Sequence, residues 1–116
     1  THDFAANVRA LLSHEYWGLY NMVCEGLTSR LEVAREIVSV LGLQNRVKVR
    51  EVNSAHFQKE YFAPRPSSER LVNTKLRLRG LNVMRDWKVA LREYLERYYG
   101  GYLDGRDNKI SSPGLL

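Results

Sequence analysis

Residues 29–42, with the sequence SRLEVAREIVSVLG, carry the clearest structural signal in this chain of 116 residues. Ser29 and Glu32 have the spacing of a capping box, in which each side chain satisfies a backbone amide at the start of a helix. Behind them, apolar residues recur every three or four positions, at Leu31, Ala34, Ile37, Val38 and Leu41. Gly42 suits the turn that ends many helices. The stretch therefore predicts an amphipathic helix that packs one face on a core.

Two segments on either side of this helix have the patterns of short strands. Residues 17–23 (WGLYNMV) form a mostly apolar run, and residues 46–52 (RVKVREV) alternate charged residues with valines. Alternation with a period of two is typical of a half-buried strand. Because two strands alone make a marginal sheet, we expect them to pair with a larger sheet. The predicted fold class is therefore α/β, with helices, a few short strands and the size of a lobe.

Three further helices are predicted from apolar spacing and capping residues. The first covers residues 1–13. A short helix begins at Asn73, which can cap it, and ends at Gly80. The last begins at Asp86, whose carboxylate can accept a bond from a first-turn amide. The expected order is thus helix, strand, helix, strand, short helices and a final helix.

The composition predicts one small globular domain. We expect no signal peptide and no membrane span, because no apolar run of the necessary length occurs. The single cysteine, Cys24, excludes an internal disulfide framework and favours a reducing, cytoplasmic setting. Two glycines and a proline within residues 103–116 indicate a flexible tail or linker. The predicted domain therefore covers residues 1–102.

The charge balance leaves two interpretations open. Eighteen Lys and Arg residues against thirteen Asp and Glu residues give a formal net charge of +5. Such a surface attracts polyanions, but it can also be simply a solvated basic surface. The densest basic run, Lys75, Arg77 and Arg79, is short and has no interleaved aromatic residues. Basic residues elsewhere mix with acidic ones, so the sequence does not favour a nucleic-acid partner.

No complete catalytic group can be assembled from sequence spacing. His2, His14 and His56 lie far apart and lack a metal-ligand spacing. Cys24 follows an apolar run, which favours a buried thiol over a nucleophile. No glycine-rich turn opens a helix, so no phosphate or dinucleotide loop is indicated. We therefore expect no catalytic, metal-binding or cofactor-binding residues in this chain.

The best functional candidate is the loop Tyr61-Phe62-Ala63-Pro64-Arg65-Pro66. Two prolines restrict the backbone on either side of Arg65. A guanidinium held in that way suits bidentate recognition of a phosphate, although it can equally pair with a surface carboxylate. Tyr61 and Phe62 could cover a base or a sugar face. The three side chains Tyr61, Phe62 and Arg65 are thus the predicted substrate-binding residues.

Several motifs occur in an order that resembles a known enzyme family. They are Thr1-His2-Asp3-Phe4-Ala5, Gly18-Leu19-Tyr20-Asn21, the helix start at residues 29–37, Arg65-Pro66 followed by Leu71 and Thr74-Lys75-Leu76, and Asp86-Trp87 followed by Ala90-Leu91. This set resembles the C-terminal, substrate-binding segment of dTDP-4-dehydrorhamnose reductase, of the extended short-chain dehydrogenase/reductase superfamily. The resemblance covers residues 1–98. None of the motifs is specific by itself; the ordered set carries the resemblance.

The resemblance implies a function that composition could not show. In that family an N-terminal Rossmann domain binds NADH or NADPH and carries the catalytic Tyr and Lys, and a smaller lobe closes over the sugar nucleotide. The reaction reduces the 4-keto group of a dTDP-6-deoxy sugar and completes dTDP-L-rhamnose. This chain resembles the lobe without the Rossmann domain, so we expect it to be inactive alone. Arg65 matches the family arginine expected near the diphosphate, whereas Lys75 is expected to lie on a helix surface.

Departures from the family pattern leave the exact sugar open. Glu69 replaces a small polar residue, and Val72 replaces an aspartate, both in the loop that would touch substrate. The alternative is a non-catalytic protein-interaction module derived from this lobe, with an unpaired sheet edge that associates with another chain. The expected partners are a dTDP-sugar nucleotide, the missing Rossmann domain and, as an option, a second copy in a homodimer.

Overall fold

Helices make up nearly all of the regular structure. The computed structural model describes residues 2–57, residue 66 and residues 68–100. The helices in that part of the chain are α1 (His2–Ser13), α2 (Arg30–Val40), α3 (Thr74–Leu78) and α4 (Trp87–Tyr99), and a 3-10 turn covers Ser54–Phe57. Residues 103–116, the predicted tail, lie outside the described residues.

Helix α2 confirms the helix and the capping box predicted from residues 29–42, although its apolar face is only half-buried. The Ser29 hydroxyl accepts a bond from the Glu32 amide at 3.2 Å, and the Glu32 carboxylate accepts one from the Ser29 amide at 2.8 Å. At the other end, Gly42 adopts φ 66°, and the amide of Leu43 donates to the carbonyl of Val38 at 2.9 Å. Both ends of the helix are therefore satisfied locally.

Helix α4 is the element against which α2 packs. It begins where predicted, because the Asp86 carboxylate accepts a bond from the Lys88 amide at 2.9 Å. Leu95 is its buried residue. On the outside of the α2–α4 pair, Arg92 donates to Glu36 at 3.4 Å. Because the Arg92 side chain is exposed, this ion pair adds little to the buried contact.

The predicted strands at residues 17–23 and 46–52 are wrong for the part of the chain that the structure describes. Both segments lack regular structure there, and the only ladder contact is an isolated parallel bridge between Glu25 and Asp86. A strand needs a neighbouring strand to take its amides and carbonyls, and the described residues supply none. Val47 and Val52, on the predicted inner face of the second strand, are exposed. The described structure is therefore mostly helical.

The apolar core is small and lies around the segment between α3 and α4. Its buried members are Leu76, Leu81, Met84 and Leu95. By contrast, Phe4 and Leu12, from the predicted apolar stripe of α1, are more than half exposed. Helix α1 is therefore held to the rest of the chain by more than apolar packing.

A fully buried asparagine, Asn7, connects α1 to that segment. Its Nδ2 donates to the carbonyl of Leu81 at 2.9 Å, and its Oδ1 accepts from the amide of Val83 at 3.1 Å. The side-chain amide thus binds the segment as a neighbouring strand would. Because buried backbone groups must be paired, this side chain satisfies two groups that α1 would otherwise leave without partners.

Replacing Asn7 with Ala should destabilise the chain far more than a surface substitution does. The variant leaves the buried Leu81 carbonyl and the part-buried Val83 amide without partners, and a buried group without a partner costs on the order of 1–3 kcal/mol. We expect the free energy of unfolding to fall by about 2–4 kcal/mol in a urea titration. The matched control is Asn45→Ala at an exposed position, expected to change it by less than about 0.5 kcal/mol. Equal losses in the two variants would contradict the role given to Asn7.

Candidate functional site

The predicted substrate-binding residues Tyr61, Phe62 and Arg65 lie outside the described residues. Pro66, which follows Arg65 directly, is described and exposed. The structure also describes residues 68–73, which lead from this loop into α3. It therefore shows how the chain after the loop is held.

The chain after the loop is fixed to residues 21–23 by two asparagine side chains. Asn21 Nδ2 donates to the carbonyl of Val72 at 3.1 Å. Asn73 pairs with both backbone groups of Val23, accepting from its amide at 3.0 Å and donating to its carbonyl at 2.7 Å. With 1% of its surface exposed, Asn73 is buried, so these bonds are shielded from water.

Asn73 stands at the predicted N-cap position of α3, but the capping bond expected from its side chain is absent. The amide group instead bonds to Val23 and to two further polar side chains, Glu25 and Asn82, at 3.2 and 3.1 Å. We call Val23, Glu25, Asn73 and Asn82 the Asn73 junction. Asparagine is a residue type that often caps a helix, and this is what the sequence indicated. Here the side chain binds the distant backbone of Val23 and not the nearby amides of α3.

Glu25 is the charged member of the Asn73 junction. Its Oε1 accepts from Asn82 Nδ2 at 2.7 Å, and its Oε2 accepts from Arg77, which projects from α3. The Arg77 guanidinium, together with the Asn82 amide, holds the pKa of the Glu25 carboxyl below its ordinary value. The carboxylate form is therefore the one that the folded chain favours.

The backbone of Glu25 joins the same junction to the start of α4. Its amide donates to Arg85 O at 2.9 Å, and its carbonyl accepts from the Trp87 amide at 3.0 Å. Gly26 follows with φ 86°, and a Cβ there would lie 2.8 Å from a carboxylate oxygen of Asp86. A side chain at position 26 would therefore be strained and would push the start of α4 away.

A second charged network joins α1 to α4. Arg85 binds Asp3 through two nitrogens, with Nη2 2.6 Å and Nε 3.0 Å from Oδ1, and donates from Nη1 to Glu93 at 2.6 Å. The Arg85 hydrogen bonds lower the pKa of the Asp3 carboxyl. The Asp3 side chain is only 11% exposed, so this pair is better shielded than an ordinary surface ion pair.

Beside this network, a cleft of about 240 Å³ separates the start of α1 from α4. Its lining includes Met22, Cys24 and Met84, with Asp3 and Arg85 among the polar members. Burial is the main cause that raises the pKa of the Cys24 thiol. Because thiolate is the nucleophilic form, this environment suits a packed thiol and opposes nucleophilic chemistry.

His2 and His14 each have an ordinary hydrogen-bond partner. His2 Nε2 lies 3.0 Å from the Tyr98 hydroxyl, and His14 Nδ1 donates to the Ala10 carbonyl at 2.8 Å. In the described part of the chain, no three His, Cys, Asp or Glu side chains form a group able to hold a metal ion. The charged and amide side chains in that part of the chain bind backbone segments and hold them in position.

Comparison with protein families assigns the chain. The model of the RmlD substrate binding domain matches residues 1–100. The chain belongs to this family. The match confirms the relationship to dTDP-4-dehydrorhamnose reductase-like proteins that the ordered motifs indicated, and it includes the Arg65-Pro66 loop. No curated protein and no solved structure matches the chain.

Sequence reasoning missed the Asn73 junction of this RmlD substrate binding domain. Asn7, Glu25 and Asn82 carried no signal of their own, because most of their side-chain partners are 48 to 76 residues away. None of the helices in the described ranges has the length and apolar character needed to cross a membrane.

The stability of the RmlD substrate binding domain should depend on the ionisation of Glu25. The folded-state pKa lies below the ordinary value of 4.5, so the carboxylate stabilises the fold above that pH and the contribution is lost as pH falls. We expect Glu25→Gln to lower the free energy of unfolding at pH 7, with a difference from wild type that narrows between about pH 5 and pH 3. Urea titrations across this range measure both effects.

The control for Glu25→Gln is Glu96→Gln, at an exposed position of α4. Its unfolding free energy should follow that of the wild type at every pH. The pairing at Glu25 would be contradicted by parallel pH profiles for wild type and Glu25→Gln.

Proposed function

We propose that the chain is the substrate-binding part of a dTDP-4-dehydrorhamnose reductase-like enzyme. In this proposal it holds a dTDP-linked 4-keto-6-deoxy sugar while NADH or NADPH reduces the keto group. The observation that carries the proposal is the family match over residues 1–100, which includes the Arg65-Pro66 motif. The catalytic groups belong to a Rossmann domain, and the chain is inactive without it.

Arg65 is the residue that we propose for the diphosphate. A guanidinium presents paired N–H donors in a plane, which matches the oxygens of a phosphate better than an ammonium does. Tyr61 and Phe62 supply flat apolar faces for the sugar or the base. The neighbouring Asn73 junction supports this role, because it fixes the backbone only a few residues after the loop.

Fixing the chain after the loop lowers the cost of binding. A loop with a free end must lose conformational entropy when it closes on a ligand. Here Asn21 and Asn73 already hold Val72 and Val23 together, so part of that order exists before substrate arrives. The proposed contribution of the lobe is thus to position the diphosphate and to exclude water from the sugar, and not to transfer protons or hydride.

We propose that the nicotinamide dinucleotide is bound by the Rossmann domain and not by this chain. The glycines with positive φ, at positions 18, 26, 42 and 80, stand singly, and in the described ranges none belongs to a glycine-rich turn that opens a helix. Such a turn is what cradles a pyrophosphate in dinucleotide-binding folds. This supports the assignment of NADH or NADPH to the Rossmann domain, which would also supply the α/β sheet. We place the enzyme in the cytoplasm because the single cysteine, Cys24, favours a reducing setting.

An interaction module is the second candidate, and exposed apolar side chains favour it. Trp17, Leu19 and Leu78 are 75%, 83% and 82% exposed. Large apolar side chains at that exposure are typical of surfaces that another protein covers. In the enzyme the cover would be the Rossmann domain, whereas in an interaction module it would be an unrelated chain.

Arg65→Ala should weaken sugar-nucleotide binding. Losing a hydrogen bond to a charged group costs about 1.5–3 kcal/mol, so we expect the dissociation constant for dTDP-rhamnose to rise by a factor of about 10–150. Isothermal titration of the chain joined with its Rossmann domain measures the change. Arg46→Ala, at an exposed position, should leave the constant unchanged.

The same titration separates the two candidate functions. Binding of dTDP-rhamnose that depends on Arg65 supports the reductase-like enzyme. If neither wild type nor the Arg46→Ala variant binds the sugar nucleotide, the interaction module replaces it. Equal affinity of wild type and Arg65→Ala would remove Arg65 from the binding site.

A further inference from the structure

Two cations, Lys75 of α3 and Arg79 directly after α3, lie near one tyrosine ring. The Lys75 ammonium lies 5.8 Å and the Arg79 guanidinium carbon 5.4 Å from the centre of the Tyr20 ring. Arg79 also lies 4.6 Å from the centre of the Tyr16 ring. Both distances to Tyr20 fall within the range of cation–π attraction. The two positive charges therefore lie near the same ring and are held by neutral partners.

The side chains in this cluster fix one another. The Tyr20 hydroxyl donates to the carbonyl of Tyr16 at 2.9 Å and accepts from Arg79. Lys75 donates to the carbonyl of Leu19 at 3.0 Å. Because each cation has a polar anchor as well as an aromatic one, its position does not depend on a ligand. We call Tyr16, Tyr20, Lys75 and Arg79 the Tyr20 cluster.

The charges of the Tyr20 cluster are not neutralised by the chain that the structure describes. Arg35, Arg77, Arg85 and Arg92 each pair with a carboxylate, whereas Lys75 and Arg79 pair with none there. Residues four apart on a helix lie on the same side, and like charges so placed destabilise it. An anion between the two cations would relieve that repulsion.

We propose that the Tyr20 cluster binds a diphosphate group. Arg79 uses one nitrogen for Tyr20, and its remaining N–H groups have no hydrogen-bond partner in the described part of the chain. That leaves a guanidinium edge for one phosphoryl group and the Lys75 ammonium for the other. A nucleic acid is disfavoured, since the cluster has two cations and its tyrosine faces are occupied by them.

The site goes beyond the proposed function, because it is built without Tyr61, Phe62 or Arg65. Two sources can supply the same chemistry, free pyrophosphate and the diphosphate of a nucleotide. The exposed Trp17 directly follows Tyr16 and offers an aromatic face for a base. A nucleoside diphosphate should therefore bind more tightly than pyrophosphate, and Trp17→Ala should remove the difference.

The test is a titration of the full chain with inorganic pyrophosphate, followed by amide chemical shifts. We expect shifts at residues 19–20 and 75–80, and a dissociation constant raised about tenfold by Lys75→Gln and by Arg79→Gln. The control Arg9→Gln removes one exposed charge from α1, so it should leave the constant unchanged. A repeat with dTDP, with and without Trp17→Ala, distinguishes the two sources of the diphosphate.

Three results would overturn the proposal. The first is an equal weakening by Arg9→Gln, which would mean attraction by net charge alone. The second is an absence of shifts at residues 75–80 in the folded wild type. The third is loss of those shifts in Arg65→Ala, which would assign the anion to the loop. If instead Arg65→Ala loses dTDP-rhamnose but keeps the pyrophosphate shifts, both sites stand, and the reverse pattern removes only the Tyr20 cluster.

Discussion

Two buried asparagine side chains take the place of sheet hydrogen bonds in this chain. An extended segment that enters a protein interior must find partners for its amides and carbonyls, usually from a neighbouring strand. Here Asn7 provides one donor and one acceptor to residues 81–83, and Asn73 does the same for Val23. Because a side-chain amide carries a donor and an acceptor, one asparagine can replace the hydrogen-bonded partner residue of a neighbouring strand. The small apolar core can therefore be surrounded by irregular segments.

The need to pair buried backbone groups also links the chain after the candidate loop to α4, through Glu25. Its backbone is bridged to the start of α4, while its side chain reaches Asn82 and Arg77. Arg77 is neutralised by this contact, whereas Lys75 of α3 and Arg79 directly after it have only neutral partners among the described residues. The charge of Arg77 is thus used within the fold, and the charges of Lys75 and Arg79 are not neutralised in that part of the chain. The chain before it leads from the loop that carries Arg65.

The local features of this fold could be predicted from the sequence, and the distant ones could not. The capping box at Ser29 and the cap at Asp86 are confirmed because each bond spans two or three residues. The prediction of strands at residues 17–23 and 46–52 is wrong. A sequence pattern indicates that a segment is extended and half-buried, but it does not show that a partner strand exists. Asn73 shows the same limit at a single residue, since two of its partners, Val23 and Glu25, lie 50 and 48 residues away. The predicted site at Tyr61, Phe62 and Arg65 stays a prediction.

The way polar and apolar groups are distributed favours a lobe completed by other surfaces. In the described part of the chain few large apolar side chains are buried, and asparagine side chains satisfy several backbone groups. Trp17 and Leu19 flank Gly18 at high exposure, and Tyr20 beside them collects two cations. Exposed apolar surface favours contact with another protein, whereas concentrated positive charge favours binding of an anion. An enzyme lobe that closes over a sugar nucleotide would have both a protein neighbour and an anionic ligand. An isolated interaction module would account only for the exposed apolar surface.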